Sequence, residues 1–208
     1  MTIAEMHTRI DLLIDKANSE WFTSDEKDEF LNMAIQEYVK NKHRAFETDE
    51  KVREDLLTLV ISPYEVFTTN IIDLDAIGNF LFALRLEADI DGTCGPLTGV
   101  PVPPRQQDDF SESERDPFNK SSDKYPVYLQ SDSGGARTVT VYSDTTPSVL
   151  RLTYLRQPAT VSITVPTDCD LPIHTHDEIC NLAVRKMFAN IESFEDYQAQ
   201  MNEINNQN

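Results

Sequence analysis

The sequence predicts an α+β fold. An N-terminal helical segment leads into an antiparallel β-domain with a long central loop, and a long C-terminal helix packs back on the N-terminal helices. Two observations carry this prediction. All eleven prolines fall between Pro63 and Pro172, and proline breaks helix interiors, so helices belong to the two ends. Apolar residues recur at helical spacing on either side of that zone and alternate within it. The expected division is 1–62 helical, 63–170 β with its loop over 91–124, and 171–208 a helix with a polar tail.

The first helix is expected over Thr2–Ser19, with Ile3, Met6, Ile10, Leu13, Ile14 and Ala17 as its stripe. Trp21 and Phe22 would plug the corner before the second helix. That helix, Ser24–Phe46, has the clearest signal. Phe30, Leu31, Ala34, Ile35, Tyr38 and Val39 share one face, while Lys27, Asn32, Gln36, Lys40 and Arg44 lie opposite. Thr23 and Glu26 stand at capping-box spacing, and Asp25, Glu26, Asp28 and Glu29 crowd the first turn, where the helix dipole favours negative charge. Thr48 opens a third helix with Val52, Leu56, Leu59 and Val60 inward, and Ser62-Pro63 ends the helical part.

Val66–Asp73 and Asn79–Asp89 read as a strand pair joined through Asp75–Gly78; Phe80, Phe82, Leu84, Leu86 and Ala88 alternate on one side. The loop 91–124 is rich in glycine, proline and polar residues, with Phe110 and Phe118 as apolar anchors. A structureless loop of that length is unusual inside a compact domain; it is either disordered or ordered by a partner, and the second case suits a subunit that reaches across to its neighbour. Pro126–Asp132, Ala136–Ser143, Ser148–Gln157 and Thr160–Val165 read as four strands of a meander, the first two joined by a tight turn at Gly134-Gly135. A last helix opens near Thr175 with Thr175 and Glu178 as a second capping box. Ile179, Leu182, Ala183, Val184, Met187, Phe188 and Ile191 make it apolar on more than one side, which points to packing on more than one side; another subunit is one candidate for the second contact. Met201–Asn208 should fray.

The 36 acidic and 18 basic residues give a net charge of −18, spread along the chain. Such a surface repels phosphate backbones and anionic lipids, and the small Lys40–Arg44 cluster does not offset it. Three cysteines form no disulfide framework and fit a reducing compartment. No signal peptide and no membrane-length apolar run are read.

Residue chemistry specifies no reaction. Cys169, His174, His176 and Cys180 lie close in sequence and are types that suit zinc, but their spacing matches no common zinc pattern. A metal-binding protein or enzyme built on those four is therefore a competing reading, and an acidic protein-interaction domain is another. The acid pairs Asp73/Asp75, Asp89/Asp91 and Asp108-Asp109 serve acid–base chemistry only if held across a cleft; loop aspartates more often serve turns. There is no nucleophile elbow or glycine-rich phosphate loop. Asp89–Gly92 has only a fragment of a calcium loop. No catalytic residue, cofactor or metal is assigned.

The order of parts adds a resemblance. DEFLNMAIQEYVKNKHRAFE (28–47) followed by DEKVREDLLTLV (49–60), the central DPFNKSSDKYPVYLQ (116–130), and the closing VPTDCDLPIHTHDEICNLAVRKMFANIES (165–193) resemble the ring-forming head-to-tail connector, or adaptor, proteins of tailed bacteriophages, most of all those of crAss-like phages. The resemblance implies a structural virion protein of the neck, made in the host cytoplasm. It implies a homo-oligomeric ring, commonly of twelve copies, that contacts the portal protein and other neck or tail proteins. Genome DNA would pass through its channel without specific binding, and no membrane is involved. An acidic lumen would keep DNA from sticking. On this reading Lys27, Gln36, Lys40 and Arg44 of the second helix and Phe110 and Phe118 of the central loop form the protein interfaces.

Overall fold

A computed structural model describes residues 1–14, 22–92, 95–133 and 135–205, with side chains up to residue 190 apart from residue 133. In chain order the elements are α1 (Ile3–Leu13), α2 (Ser24–His43), α3 (Glu50–Leu56), β1 (Val60–Phe67), β2 (Ile71–Asp73), β3 (Phe80–Gly92), β4 (Gly95–Pro101), α4 (Gln107–Ser113), β5 (Val127–Ser133), β6 (Ala136–Tyr142), β7 (Val149–Arg156) and α5 (His176–Asn205). A 3-10 turn, Leu57–Leu59, follows α3, and another, Ile173–Thr175, leads into α5. The fold is α+β, with antiparallel sheets and a long C-terminal helix packed on the N-terminal helices. The chain forms two compact units, Met1–Leu59 with Pro158–Asn208, and Val60–Gln157. Among the described residues no helix is long and apolar enough to cross a membrane.

In the helical unit, α5 packs on α1 and α2, and α3 on α2. Thr2 and Thr23 cap α1 and α2, each in a complete capping box with Glu5 and Glu26. Ile3, Met6 and Ile10 of α1, Leu31, Ala34, Ile35, Tyr38 and Val39 of α2, Val52 and Leu56 of α3, and Ile179, Cys180, Ala183, Val184 and Met187 of α5 are buried. The expected first helix ends early: α1 stops at Leu13, and Trp21 and Ala17 lie outside the described residues. The third helix is shorter than expected. Asp49, not Thr48, caps it, and Val60 already belongs to β1. Ser62-Pro63 therefore does not end the helical part; it sits inside β1, an outer strand of its sheet where a missing N–H is tolerated.

Thr160–Val165 is not a strand. Its alternating apolar residues mimic one, but its backbone groups bond to side chains of α2. The Asn32 amide accepts the Val161 N–H at 2.8 Å and donates to the Val161 carbonyl at 3.0 Å, and Asp28 accepts the Ile163 N–H at 2.9 Å. Val161 is buried and Val165 exposed, so the segment is a strap of the helical unit. The expected Thr175 cap also fails: the Thr175 hydroxyl turns back to donate to the Pro172 carbonyl at 2.9 Å.

The second unit holds two antiparallel sheets, ordered β1-β7-β3-β4 and β2-β6-β5. One core takes Leu86, Ala88 and Ile90 of β3 and Leu150, Leu152 and Tyr154 of β7 together with Ile72 of β2 and Val139 and Val141 of β6. The expected pairing of Val66–Asp73 with Asn79–Asp89 is replaced. That stretch splits into β1 and β2 in different sheets, β1 beside β7 and β2 beside β6, and β3 pairs with β7 and β4. Nor do Pro126–Asp132, Ala136–Ser143 and Ser148–Gln157 form a meander: β5 and β6 are a hairpin with Ser133 opposite Ala136, while β7 is an inner strand of the other sheet. Register shifts between Phe80 and Phe82 and between Ala83 and Arg85 break the simple alternation of β3, leaving Phe82 and Leu84 half-buried. The stretch 91–124 is not a structureless loop. It carries β4 and α4 and is tied down by turns, such as Asp116 accepting the Phe118 N–H at 3.0 Å.

Candidate functional site

The α2 residues expected at an interface divide. Lys27 is mostly covered, and its Nζ lies 2.6 Å from Asp11 of α1, so it clamps two helices. Gln36, Lys40 and Arg44 are exposed. Beside them, Lys186 of α5 pairs with Glu37. Phe30, Met33 and Ala189 line a surface groove of about 540 Å³ with Glu26, Glu29 and Lys186. Phe188, at 45% exposed, is the open part of the broad apolar face expected of the last helix.

The cysteine and histidine cluster disperses. His174 Nε2 faces Asp55 at 2.8 Å, His176 Nε2 faces the Leu171 carbonyl at 2.8 Å, and the Cys180 thiol points to the Met6 carbonyl at 3.9 Å. Among the described residues no three His, Cys, Asp or Glu side chains come together as a metal-ligand group. Burial pushes the Cys180 thiol up to about 12, with Asp177 adding to the effect, and burial also raises Cys169. Burial lowers His176, whose Nδ1 is enclosed without a hydrogen-bond partner among the described residues.

Asp55, absent from the candidate residues above, is a polar centre of this unit. It is 2% exposed and accepts from the Tyr38 hydroxyl at 3.0 Å as well as from His174, with Lys42 Nζ at 3.3 Å. Burial pushes its carboxyl up, but the hydrogen bonds from His174, Tyr38 and Lys42 and the Lys42 charge outweigh it and hold the group below the usual carboxylate range. A signal exists in the sequence: Asp55 falls within the Val52, Leu56, Leu59 stripe, where an apolar residue is expected. A second buried pair, His7 Nε2 and Asp28 Oδ1 at 2.8 Å, links α1 to α2.

In the β unit the two phenylalanines part company. Phe110 of α4 is half-buried and packs at a tilt against Tyr142 of β6, with ring centroids 4.4 Å apart. Phe118 is 96% exposed. It borders a cavity of about 530 Å³ together with Arg105, Lys120, Lys124, Tyr125 and Pro126. Phe118 is legible in the sequence as an aromatic in a polar run; these cations, scattered over twenty residues of chain, are not.

Asp73, Asp75 and Asp89 of the acid pairs have structural duties. Asp73 accepts the N–H groups of Asp75 and Ala76 in a turn, and Asp75 holds the Arg137 backbone and guanidinium at 2.7 and 2.8 Å. Asp89 meets the Arg151 fork at 2.7 and 2.6 Å and caps the Gly99 N–H at 2.8 Å, while Glu65 takes Arg151 Nε at 3.0 Å. This is bidentate pairing across three adjacent strands, β1, β7 and β3. No protein-family model matches the chain, and no curated protein matches it.

Proposed function

We propose that the chain is a structural subunit of the head-to-tail connector of a tailed bacteriophage. It assembles as a ring, commonly of twelve copies, between the portal protein and the tail, and the genome passes through its channel. The observation that carries this reading is the likeness of residues 28–47, 49–60, 116–130 and 165–193, in that order, to connector proteins. Two physical features support it. The net charge of −18 makes a surface over which DNA slides without being gripped. Asp55, Asp73, Asp75 and Asp89 hold helices, turns and strands together, as a structural subunit requires.

Mass spectrometry of purified virions, with antibody labelling of the particles in the electron microscope, tests the proposal. The expected result is stoichiometric chain in intact virions with label at the neck. Particles that lack the chain, or that carry it on capsid or fibres, overturn it.

A further inference from the structure

All four histidines of the chain, His7, His43, His174 and His176, lie in the helical unit. Histidine is the side chain whose charge ordinarily changes near neutral pH, so a response in that range belongs to this unit. The four are not equivalent. His7 and His174 each place Nε2 at 2.8 Å from a carboxylate, of Asp28 and of Asp55, so a proton gained there has a counter-charge beside it. His43, half-buried at the end of α2, has the charge of Glu47 near it. His176 is 3% exposed, and its ring bonds through Nε2 to the Leu171 carbonyl at 2.8 Å. A carbonyl only accepts, so Nε2 carries the proton and Nδ1 is a bare lone pair. Nδ1 is enclosed and has no partner among the described residues. A proton added there would be a buried charge with an unmet N–H.

The junction around His176 ties three parts of the unit together. His176 opens α5, and Leu171 of the incoming segment accepts from its ring. Asp168 of the same segment accepts the Ile3 N–H of α1 at 2.7 Å, and one turn along α5 the Cys180 thiol reaches the Met6 carbonyl at 3.9 Å. Two charged groups face the ring, and they oppose each other. The Asp168 carboxylate favours the charged imidazole, as do the backbones of Leu171 and Met1, and the α-amino group of Met1 disfavours it. Burial is the largest influence and leaves His176 lowered. Asp177, the next residue of α5, is turned to Arg9 at 3.0 Å, and burial keeps the Cys169 and Cys180 thiols neutral.

We propose that His176 is an acid-released latch: a proton on its Nδ1 frees the start of α5 from the Leu171 segment and from the N-terminal end of α1, while the β unit stays folded. The pH window follows from linkage. With the junction open, His176 titrates near its ordinary value of about 6.5, and with the junction closed it titrates lower. Between the two values the open form binds the extra proton. The latch therefore holds fully above about pH 6.5 and weakens as pH falls toward the lower value, by up to about tenfold in the opening constant per pH unit. The His7–Asp28 pair still joins α1 to α2, and His174–Asp55 still joins the entry of α5 to α3, so the opening stays local to the junction. The latch stands whether or not the chain is a virion protein.

Hydrogen exchange of the full chain, read by mass spectrometry between about pH 5 and 7.5 and corrected for intrinsic exchange rates, tests it. In the wild type, peptides from 1–13 and 171–185 should open up to about tenfold more readily for each unit below about pH 6.5, with peptides from β5, β6 and β7 unchanged. His176→Gln keeps an N–H for the Leu171 carbonyl and cannot take the proton, so its opening should not vary with pH in this range. His43→Gln should respond as the wild type does. Nitrogen NMR of the histidine rings gives a second reading that needs no variant: His176 should be the Nε2–H tautomer at neutral pH and titrate below about 6.5. A His176 that titrates at or above that value, a His176→Gln chain with the wild-type pH response, a response abolished by His43→Gln, or protection lost equally in the β unit would each overturn the inference.

Discussion

His174 and Asp55, 119 residues apart in sequence, meet at 2.8 Å, one side chain half in water and the other 3% exposed. The contact fixes the entry to α5 against α3 within the helical unit. Its partners respond unequally to loss of the carboxylate. His174 and Lys42 both reach solvent and can exchange Asp55 for water. Tyr38 is 1% exposed and cannot. Asp55→Ala should therefore cost about 1–3 kcal/mol, the price of one stranded buried hydroxyl, with further loss from the packing defect. Tyr38→Phe in the Asp55→Ala background should recover part of it. Urea denaturation of the two single variants and the double variant checks this, and full additivity would show that the Tyr38–Asp55 bond contributes nothing.

The same carboxyl predicts a pH dependence. Its folded-state value lies below the ordinary one, so between the two the unfolded chain binds more protons. Asp55 thus stabilises the fold fully above its unfolded value of about 3.9, and that contribution fades as pH falls through the lower folded value. Acid unfolding followed by circular dichroism should show a shallower dependence on pH in Asp55→Asn than in the wild type below about pH 4.

How far these features were legible in the chain follows from the range of the interactions. The capping box of Thr23 and Glu26, the α2 stripe from Leu31 to Val39 and the hairpin that sets Ser133 opposite Ala136 depend on neighbours in sequence, and they appear where local pattern places them. Strand partnership does not. Val66–Asp73 carries the right residues for a strand, but the choice of β7 and β6 as partners is made by a core that gathers Ile72, Leu86, Val139 and Leu152 from four strands. Thr160–Val165 alternates like a strand and is held instead by Asn32 and Asp28, polar residues of α2 whose role only the fold discloses. At the candidate site Phe118 stood out as an apolar residue in a polar run, whereas Arg105, Lys120 and Lys124 acquire meaning only when the turns around Asp116 and Asp123 bring them to one cavity.

Gly92 marks the tightest spot in that region. A Cβ placed there would meet Asp123 Oδ2 at 2.9 Å, and Asp123 is the acceptor for the Thr145 N–H and hydroxyl. Gly92→Ala should push Asp123 off Thr145 and cost about 1–3 kcal/mol, as overpacking does. Asp123→Ala should remove the clash, so adding Gly92→Ala to it should cost much less. Thermal melts of the three variants decide; equal penalties for Gly92→Ala in both backgrounds would rule out the contact.

The thiol of Cys180 tests the helical unit from inside. It is buried against the Met6 carbonyl and pushed up to about 12, so at pH 8 it is both shielded and protonated. Iodoacetamide at that pH should leave Cys180 unmodified in the folded chain and alkylate it in urea, as read by peptide mass mapping. Rapid alkylation under native conditions would mean that α5 does not stay seated on α1.

Lys40 and Arg44 are the charged residues of the expected α2 interface that remain exposed, beside the neutral Gln36, since Lys27 is held by Asp11. Both stand at the C-terminal end of α2, where positive charge favours the helix dipole. Reversing them to glutamate forfeits that interaction, a loss of about 0.3–1 kcal/mol each, well short of unfolding a domain. The double variant should therefore keep its helical signal and melt only slightly lower. If a neighbouring copy or the portal protein reads this face, the variant should assemble poorly despite being folded. Rings formed by the Lys40→Glu, Arg44→Glu chain at wild-type concentration would remove this helix face from the interface.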